Sequence, residues 1–335
     1  MASFYSNSKM DIDHSRSARG ADEDAVRGMY EDAPYPDLGS DLKDLGLYLN
    51  PIRAELSKRD GVKFLDVGCG TGHVLVGVAK SHPEWGCYGI DLSKASLDVA
   101  AELSKMHGTK VKIERGSYLD PLPFERQFDV ISAMGTIHHC ADPLAAMRNL
   151  KKHLKEDGYL LLHLYGLRCD REKFDIKEAL SILEPNLRAH QTRFDFYSGL
   201  MDHTRRRWAK RLALTMPGDA IGAVSAAWRN FKRRRRNVSW SPSFRERYDE
   251  VSAPWIDHFC HPCERAYEVP QVQELVETSG FKVVRMLAQG RENKKLIPRE
   301  WAERYDELDN WEKWRLSELL AVGGGSFAMI LQKAD

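Results

Sequence analysis

Residues 64–72 read Phe-Leu-Asp-Val-Gly-Cys-Gly-Thr-Gly. The apolar opening has strand character, and three glycines at alternate positions, Gly68, Gly70 and Gly72, end it. Glycines there let the backbone turn tightly and leave bare main chain against which a ligand can lie. The next run, GHVLVGVAK, spaces its apolar residues as a helix does, so the helix N-terminus offers its N–H groups to the negative end of that ligand. The glycines gain their weight from this strand-loop-helix setting.

The same texture continues outward. Short apolar runs (VKFLDV, CYGID, KVKIE, FDVISAM, GYLLLHLY) alternate with amphipathic stretches (KASLDVAAELSKM, DPLAAMRNLKKHLK) from Val62 to Tyr165. Strand and helix in this rhythm predict a parallel sheet covered on both faces. The pattern then stops for about a hundred residues, beyond any ordinary loop. It resumes with a helix, VPQVQELVETSG, a strand, FKVVRMLA, one further helical stretch over 291–320, and a closing strand, GSFAMILQK. The expected organisation is a tail without fixed structure over 1–20, a helical cap over 21–59, a doubly wound α/β core over 60–165 and 270–335, and a helical insertion over 166–269.

Asp91 ends the second strand, where a carboxylate can accept hydrogen bonds from both hydroxyls of a ribose. With the glycine loop it forms the nucleoside half of a Rossmann-like site at the switch point of the sheet. The dinucleotide fingerprint G-x-G-x-x-G would need its third glycine at 73, which is His73; the glycine comes one place early, at Gly72.

Five segments together carry a resemblance: LDVGCGTG (65–72), GIDLS (89–93), RGSYLDPLPF (115–124), FDVISAMGTIHHCADP (128–143) and LKEDGYLLLHLYG (154–166). The stretch from Phe64 to Tyr165 resembles the class I S-adenosylmethionine-dependent methyltransferases. The resemblance implies a mostly parallel seven-stranded sheet closed by a hairpin whose last strand runs antiparallel, with S-adenosyl-L-methionine as cofactor. It implies that Gly68, Cys69 and Gly70 line the methionine part, Asp66 orients the amino group, Asp91 holds the ribose and Leu92 packs on the adenine. Met134 and Gly135 would bring main-chain groups near the ammonium and sulfonium. Family members usually carry an acid after the glycine of the RG-x segment, bonded to the adenine amino group; here that place holds Ser117, followed by Tyr118.

Methyl transfer from a sulfonium is an in-line displacement in which the protein mainly aligns the acceptor and excludes water. A base is needed only if the acceptor must lose a proton. His139 is the candidate base, with its placement in a plain helix-preceding loop as the equal alternative; His138 reads as loop. His163 and Tyr165 fall on one face of the fifth strand by alternation. Two further segments resemble a bacterial subset of the family: YEDAPYP (30–36) and HPCERAYEV (261–269). They make Tyr30, Tyr35, His261 and Tyr267 candidates for capping the pocket or touching substrate, against the alternative that they anchor the insertion; Tyr165 joins them from its strand face.

The insertion carries a basic run, Arg229 to Arg236, with Trp208, Trp228 and Trp240 nearby. Such a cluster can bind RNA phosphates, but the net charge of +1 favours a solvated helix face. Cys260 and Cys263 with His258 and His261 invite a zinc reading, yet no second CxxC exists, and no metal is expected. The polar N-terminus and the lack of a long apolar run predict a cytoplasmic protein without a membrane span. The expected activity is methylation of a small molecule. An RNA or protein methyltransferase docking through the basic run is the first alternative, and a non-catalytic cofactor-binding regulator the second; oligomeric state stays open.

Overall fold

The computed structural model describes residues 16–36, 40–125, 127–168, 261–287, 297–320 and 326–334, with isolated positions between 174 and 183, at 257 and at 294. Strands β1 (Lys63–Val67), β2 (Gly86–Asp91) and β4 (Phe128–Met134) are buried along most of their length, and β5 (Leu154–Leu164) is buried mainly from Gly158 onward. Their continuous apolar runs follow from cover on both faces. β3 (Val111–Arg115) and β6 (Phe281–Met286) lie at the two edges and carry exposed charges, Lys112 and Glu114 on one and Lys282 and Arg285 on the other, which discourage further strand pairing. With β7 (Phe327–Lys333) the order is β3-β2-β1-β4-β5-β7-β6. The first five strands are parallel, and β7 runs antiparallel to both its neighbours.

Side chains alternate between two cores. Leu65, Val67, Ile90 and Ile131 pack with α6 (Pro143–His153), α7 (Val269–Thr278) and Trp314 of α9 (Asn310–Leu320). Phe64, Cys87, Val130 and Leu161 pack with α2 (Gly46–Leu49), α3 (Arg53–Leu56) and α4 (His73–Ser81). Ser93 caps α5 (Lys94–Met106), its Oγ accepting from the Ser96 N–H at 3.0 Å; Asp142 caps α6 through the Ala145 N–H at 2.9 Å, as short oxygen-bearing side chains do at helix starts.

Three boundaries differ from the sequence expectation. Helix α1 (Arg16–Asp32) begins inside the stretch expected as a tail; once a helix is nucleated downstream it propagates cheaply into Arg and Ala. The 291–320 run is not one helix. α8 (Ala302–Asp306) stops, and α9 starts afresh because Asp309 and Glu312 form a reciprocal capping box at 2.8 and 3.0 Å. The insertion is also shorter than 166–269. The chain divides into Met1–Phe174 with Cys263–Asp335, and a separate unit Asp175–Pro262. Gly166 bridges Tyr267, whose N–H reaches the Tyr165 carbonyl at 2.8 Å and whose carbonyl accepts from Leu167 at 2.9 Å, so both flanks stay with the sheet. The basic run, the three tryptophans, His258 and Cys260 lie outside the described residues.

At the amino end of β4 the buried Asp129 gathers three donors. Oδ1 accepts from Arg59 at 2.9 Å and Lys155 at 2.8 Å, and Oδ2 from the Lys63 N–H at 2.8 Å. Burial alone would raise its pKa, but these donors outweigh burial and lower it. Asp129→Ala is expected to cost about 2 kcal/mol, below the usual figure for a broken buried pair because Arg59 and Lys155 can rehydrate. The melting temperature should fall by roughly 4–8 °C. A depressed carboxylate contributes fully above its unfolded pKa of about 4 and loses that contribution as pH falls through the folded value. Wild type should therefore lose more stability on acidification than the variant, which melting curves at several pH values will read.

Candidate functional site

The strand order reverses between β1 and β4, and the crevice at their carboxyl ends is where an open α/β sheet takes its ligand. Gly68, Gly70 and Gly72 have φ of 62°, 51° and 82°, the left-handed region that glycine enters without a Cβ penalty. The loop they form is tied to β2: the Gly70 N–H donates to Asp91 Oδ2 at 2.8 Å and the Ser93 N–H to Asp91 Oδ1 at 2.9 Å. Each carboxylate oxygen keeps acceptor capacity beyond these bonds. Burial raises the Asp91 pKa, the backbone N–H groups of Ser93, Gly70 and Leu92 hold it back, and the charge of Glu31 adds to the rise.

Asp66 lies 3% exposed in β1, paired in register with Gly89 and Ser132. Burial pushes its carboxyl up to about 7; the nearby Ser132 hydroxyl opposes the rise and the charge of Asp91 adds to it. At the end of β4, Gly135 has φ 75° and open space where a Cβ would stand. A buried carboxylate for an ammonium, a second carboxylate for a diol and open room beside bare main chain fit the zwitterionic and nucleoside ends of S-adenosylmethionine. An ammonium ligand selects ionised Asp66. Affinity for S-adenosylhomocysteine should therefore fall as pH drops through about 7, by up to tenfold per unit, and calorimetry on Asp66→Asn should give a weaker, nearly flat profile. The sign for stability is opposite: the raised pKa makes the unliganded fold lose stability as pH rises from about 4 to about 7.

The N-terminal segment covers this loop. The Thr71 N–H donates to the Tyr35 carbonyl at 3.1 Å, and Thr71 Oγ1 to the Pro36 carbonyl at 2.7 Å. Ser93 Oγ donates to the Tyr30 carbonyl at 3.1 Å, and Glu31 accepts from the Lys94 and Ala95 N–H groups at 2.7 and 3.0 Å. Tyr30 and Tyr35 thus meet the core through their main chain. Cys69 is buried with its thiol pKa raised well above normal, first by burial and then by Asp91 and Asp66, which keeps it a neutral lining group. Leu92 gives its carbonyl to Arg115 Nε at 3.1 Å. Tyr118 reaches from the end of β3 to the Thr136 carbonyl at 3.1 Å.

Four rings gather from β5 and the turn after β4. His138 meets Tyr165 with centroids 3.9 Å apart and rings tilted by 36°, His139 lies 5.5 Å from Tyr165, and His163 lies 6.0 Å from Tyr165. Burial lowers the His163 pKa, and the positive charge of Lys43 lowers it further, favouring neutral imidazole. His139 Nδ1 is 3.2 Å from the Cys263 carbonyl. A carbonyl only accepts, so that nitrogen carries a proton, and in the neutral ring Nε2 carries the lone pair. Tyr267 is 3% exposed and packs within the sheet core, an anchoring position that its main-chain bridge to β5 explains. His261 falls in the separate unit ending at Pro262. Arg265 goes unremarked in the sequence reading although it lies in the HPCERAYEV segment. Its N–H donates to the His138 carbonyl at 2.9 Å, Nη2 to Ala141 at 2.9 Å, and Nη1 to Cys140. It clamps the turn that carries both histidines.

Residues 58–201 match the family model described as a methyltransferase domain. An uncharacterized protein of Synechococcus sp. is 25% identical over 263 residues, 77% of this chain and 57% of that protein. A ubiquinone biosynthesis O-methyltransferase of Vibrio vulnificus is 33% identical over 154 residues, 44% of this chain and 64% of that protein. The solved structure of PKMT2 from Rickettsia typhi in complex with AdoHcy shares the fold, with a TM-score of 0.56 at 15% identity over 82% of this chain and 49% of that one. The chain spans about half the length of the first curated relatives it matches. No helix among the described residues is long and apolar enough to cross a membrane. The domain match falls on the strands and glycine loop described above, and residues 58–201 are a methyltransferase domain on the class I S-adenosylmethionine-dependent methyltransferase fold.

Proposed function

We propose that this protein methylates a flat, hydroxyl-bearing small molecule held at the ring cluster of His138, His139, His163 and Tyr165, of which Tyr165 and His163 are partly exposed. The observation that carries the proposal is that cluster, in which the centroids of His138 and Tyr165 lie 3.9 Å apart with their rings tilted by 36°. S-adenosylmethionine, when bound, supplies a methyl group already activated on a sulfonium. The Gly68–Gly72 loop, Asp66 and Asp91 hold and orient it, with Cys69, Leu92, Ser117, Tyr118, Met134 and Gly135 as lining. The partly exposed ring of Tyr165 gives a planar acceptor an aromatic surface to pack against. His139 Nε2 takes the acceptor's hydroxyl proton as general base, while Nδ1–H on Cys263 fixes its tautomer and Arg265 fixes its turn. The O-methyl transfer in the name of the Vibrio vulnificus relative supports the hydroxyl acceptor.

The test offers methyl-labelled cofactor to the full chain with a panel of phenols and catechols, and in parallel with RNA and polypeptide. Label in a small phenolic product is the expected result. Label in RNA or polypeptide with none in the small molecules overturns the reading.

A further inference from the structure

Helix α1 is fastened at two points along the carboxyl ends of β2 and β3. Near its C-terminus Glu31 caps α5. Two turns earlier Glu23 accepts a hydrogen bond of 2.5 Å from Ser117 Oγ. Ser117 is buried and directly follows Gly116, whose N–H donates to the Asp91 carbonyl at 3.0 Å. Asp91 and Arg115 are partners in the β2–β3 register. Glu23 therefore stands one strand outward from the carboxylate assigned to the ribose.

Direction follows from this layout. A ligand whose diol sits on Asp91 and whose amino-acid end points to Asp66 in β1 must project its base the other way, over the end of β3. The base of that ligand is adenine, marked by an exocyclic amino group that donates. Ser117 Oγ already gives its proton to Glu23 and accepts from the Leu119 N–H at 3.0 Å. A carboxylate offers about four acceptor sites and a stronger, charge-assisted bond than a hydroxyl does.

We infer that Glu23, carried in from the N-terminal helix and steered by the Ser117 hydroxyl, accepts the hydrogen bond of the adenine 6-amino group and makes the site selective for adenine. This rests on the cofactor reading above. Adenine recognition is then divided between the sheet, which supplies Ser117, and α1, which supplies the charge. A 6-oxo base would turn a lone pair toward that carboxylate and be rejected.

The experiment is calorimetric binding of S-adenosylhomocysteine and S-inosylhomocysteine to the full chain. Wild type should prefer the adenosine compound by about tenfold or more. Glu23→Gln, whose amide can turn its NH2 to a 6-oxo group, should bring the ratio near one. Glu23→Ala should weaken adenosine binding and leave inosine binding nearly unchanged, and Ser117→Asp in that chain should restore the preference, which a merely structural Glu23 would not allow. A preference that survives in Glu23→Ala overturns the inference, and so does a loss that Ser117→Asp fails to restore. A wild type that binds neither compound overturns the cofactor reading itself, and this inference with it.

Discussion

Asp91→Ala should raise the dissociation constant for S-adenosylhomocysteine by at least about 100-fold. The carboxylate is assigned two charge-assisted hydrogen bonds from a ribose diol, each worth roughly 1.5–3 kcal/mol, and their loss alone reaches that factor. It also organises the site: its two oxygens accept from the Gly70 and Ser93 N–H groups at 2.8 and 2.9 Å, one on the glycine loop and one at the cap of α5. Truncation releases both. Stability should change less than affinity, since truncation also relieves the cost of burying the Asp91 charge. A variant that binds as tightly as wild type, measured by calorimetry beside its melting curve, would move the ribose elsewhere.

Gly70→Ala should damage fold and site together. With φ at 51° any side chain is strained, and a Cβ would stand 2.5 Å from the Tyr35 carbonyl oxygen. That oxygen is main chain and cannot rotate away as a flexible side chain would. The left-handed conformation costs roughly 1 kcal/mol and the forced contact roughly 1–3 more. A loss of about 3 kcal/mol, hence roughly 6–12 °C in melting temperature, is expected, with cofactor affinity down by at least about tenfold as the loop or the Tyr30–Pro36 segment gives way. Gly108 is the control. Its φ is 62°, and a Cβ there meets nothing within 4 Å. Gly108→Ala should lose only the conformational part and bind normally. Equal behaviour of the two variants would mean that the Tyr35 contact is loose.

The central strands are legible in the sequence because burial on both faces leaves them uniformly apolar, and β3 and β6 because edge strands still need one apolar face. The glycine loop and Asp91 are legible because their spacing is local. The cap is a different case. Glu23 and Ser117 are 94 residues apart, and Tyr35 meets Thr71 through a carbonyl that every residue type possesses, so no pattern of side chains announces either contact. For Tyr30 and Tyr35 the rings draw the eye, yet their carbonyls also make attachments. The split before α9 was available in Asp309 and Glu312, but a strongly helical composition over 291–320 hides a cap that only two residues encode. Arg265 illustrates a further limit: its partners are the carbonyls of His138, Cys140 and Ala141, and nothing in a sequence marks a carbonyl as awaiting a guanidinium.

The chain departs from the sheet at Gly166 and is hydrogen-bonded back to it at Tyr267. Everything between enters and leaves through one narrow doorway. A chain built this way can exchange the contents of residues 175–262 wholesale, since the doorway frame is held by backbone bonds that impose few demands on side chains. An engineer could graft a foreign segment at the same threshold and leave the glycine loop, Asp66 and Asp91 untouched.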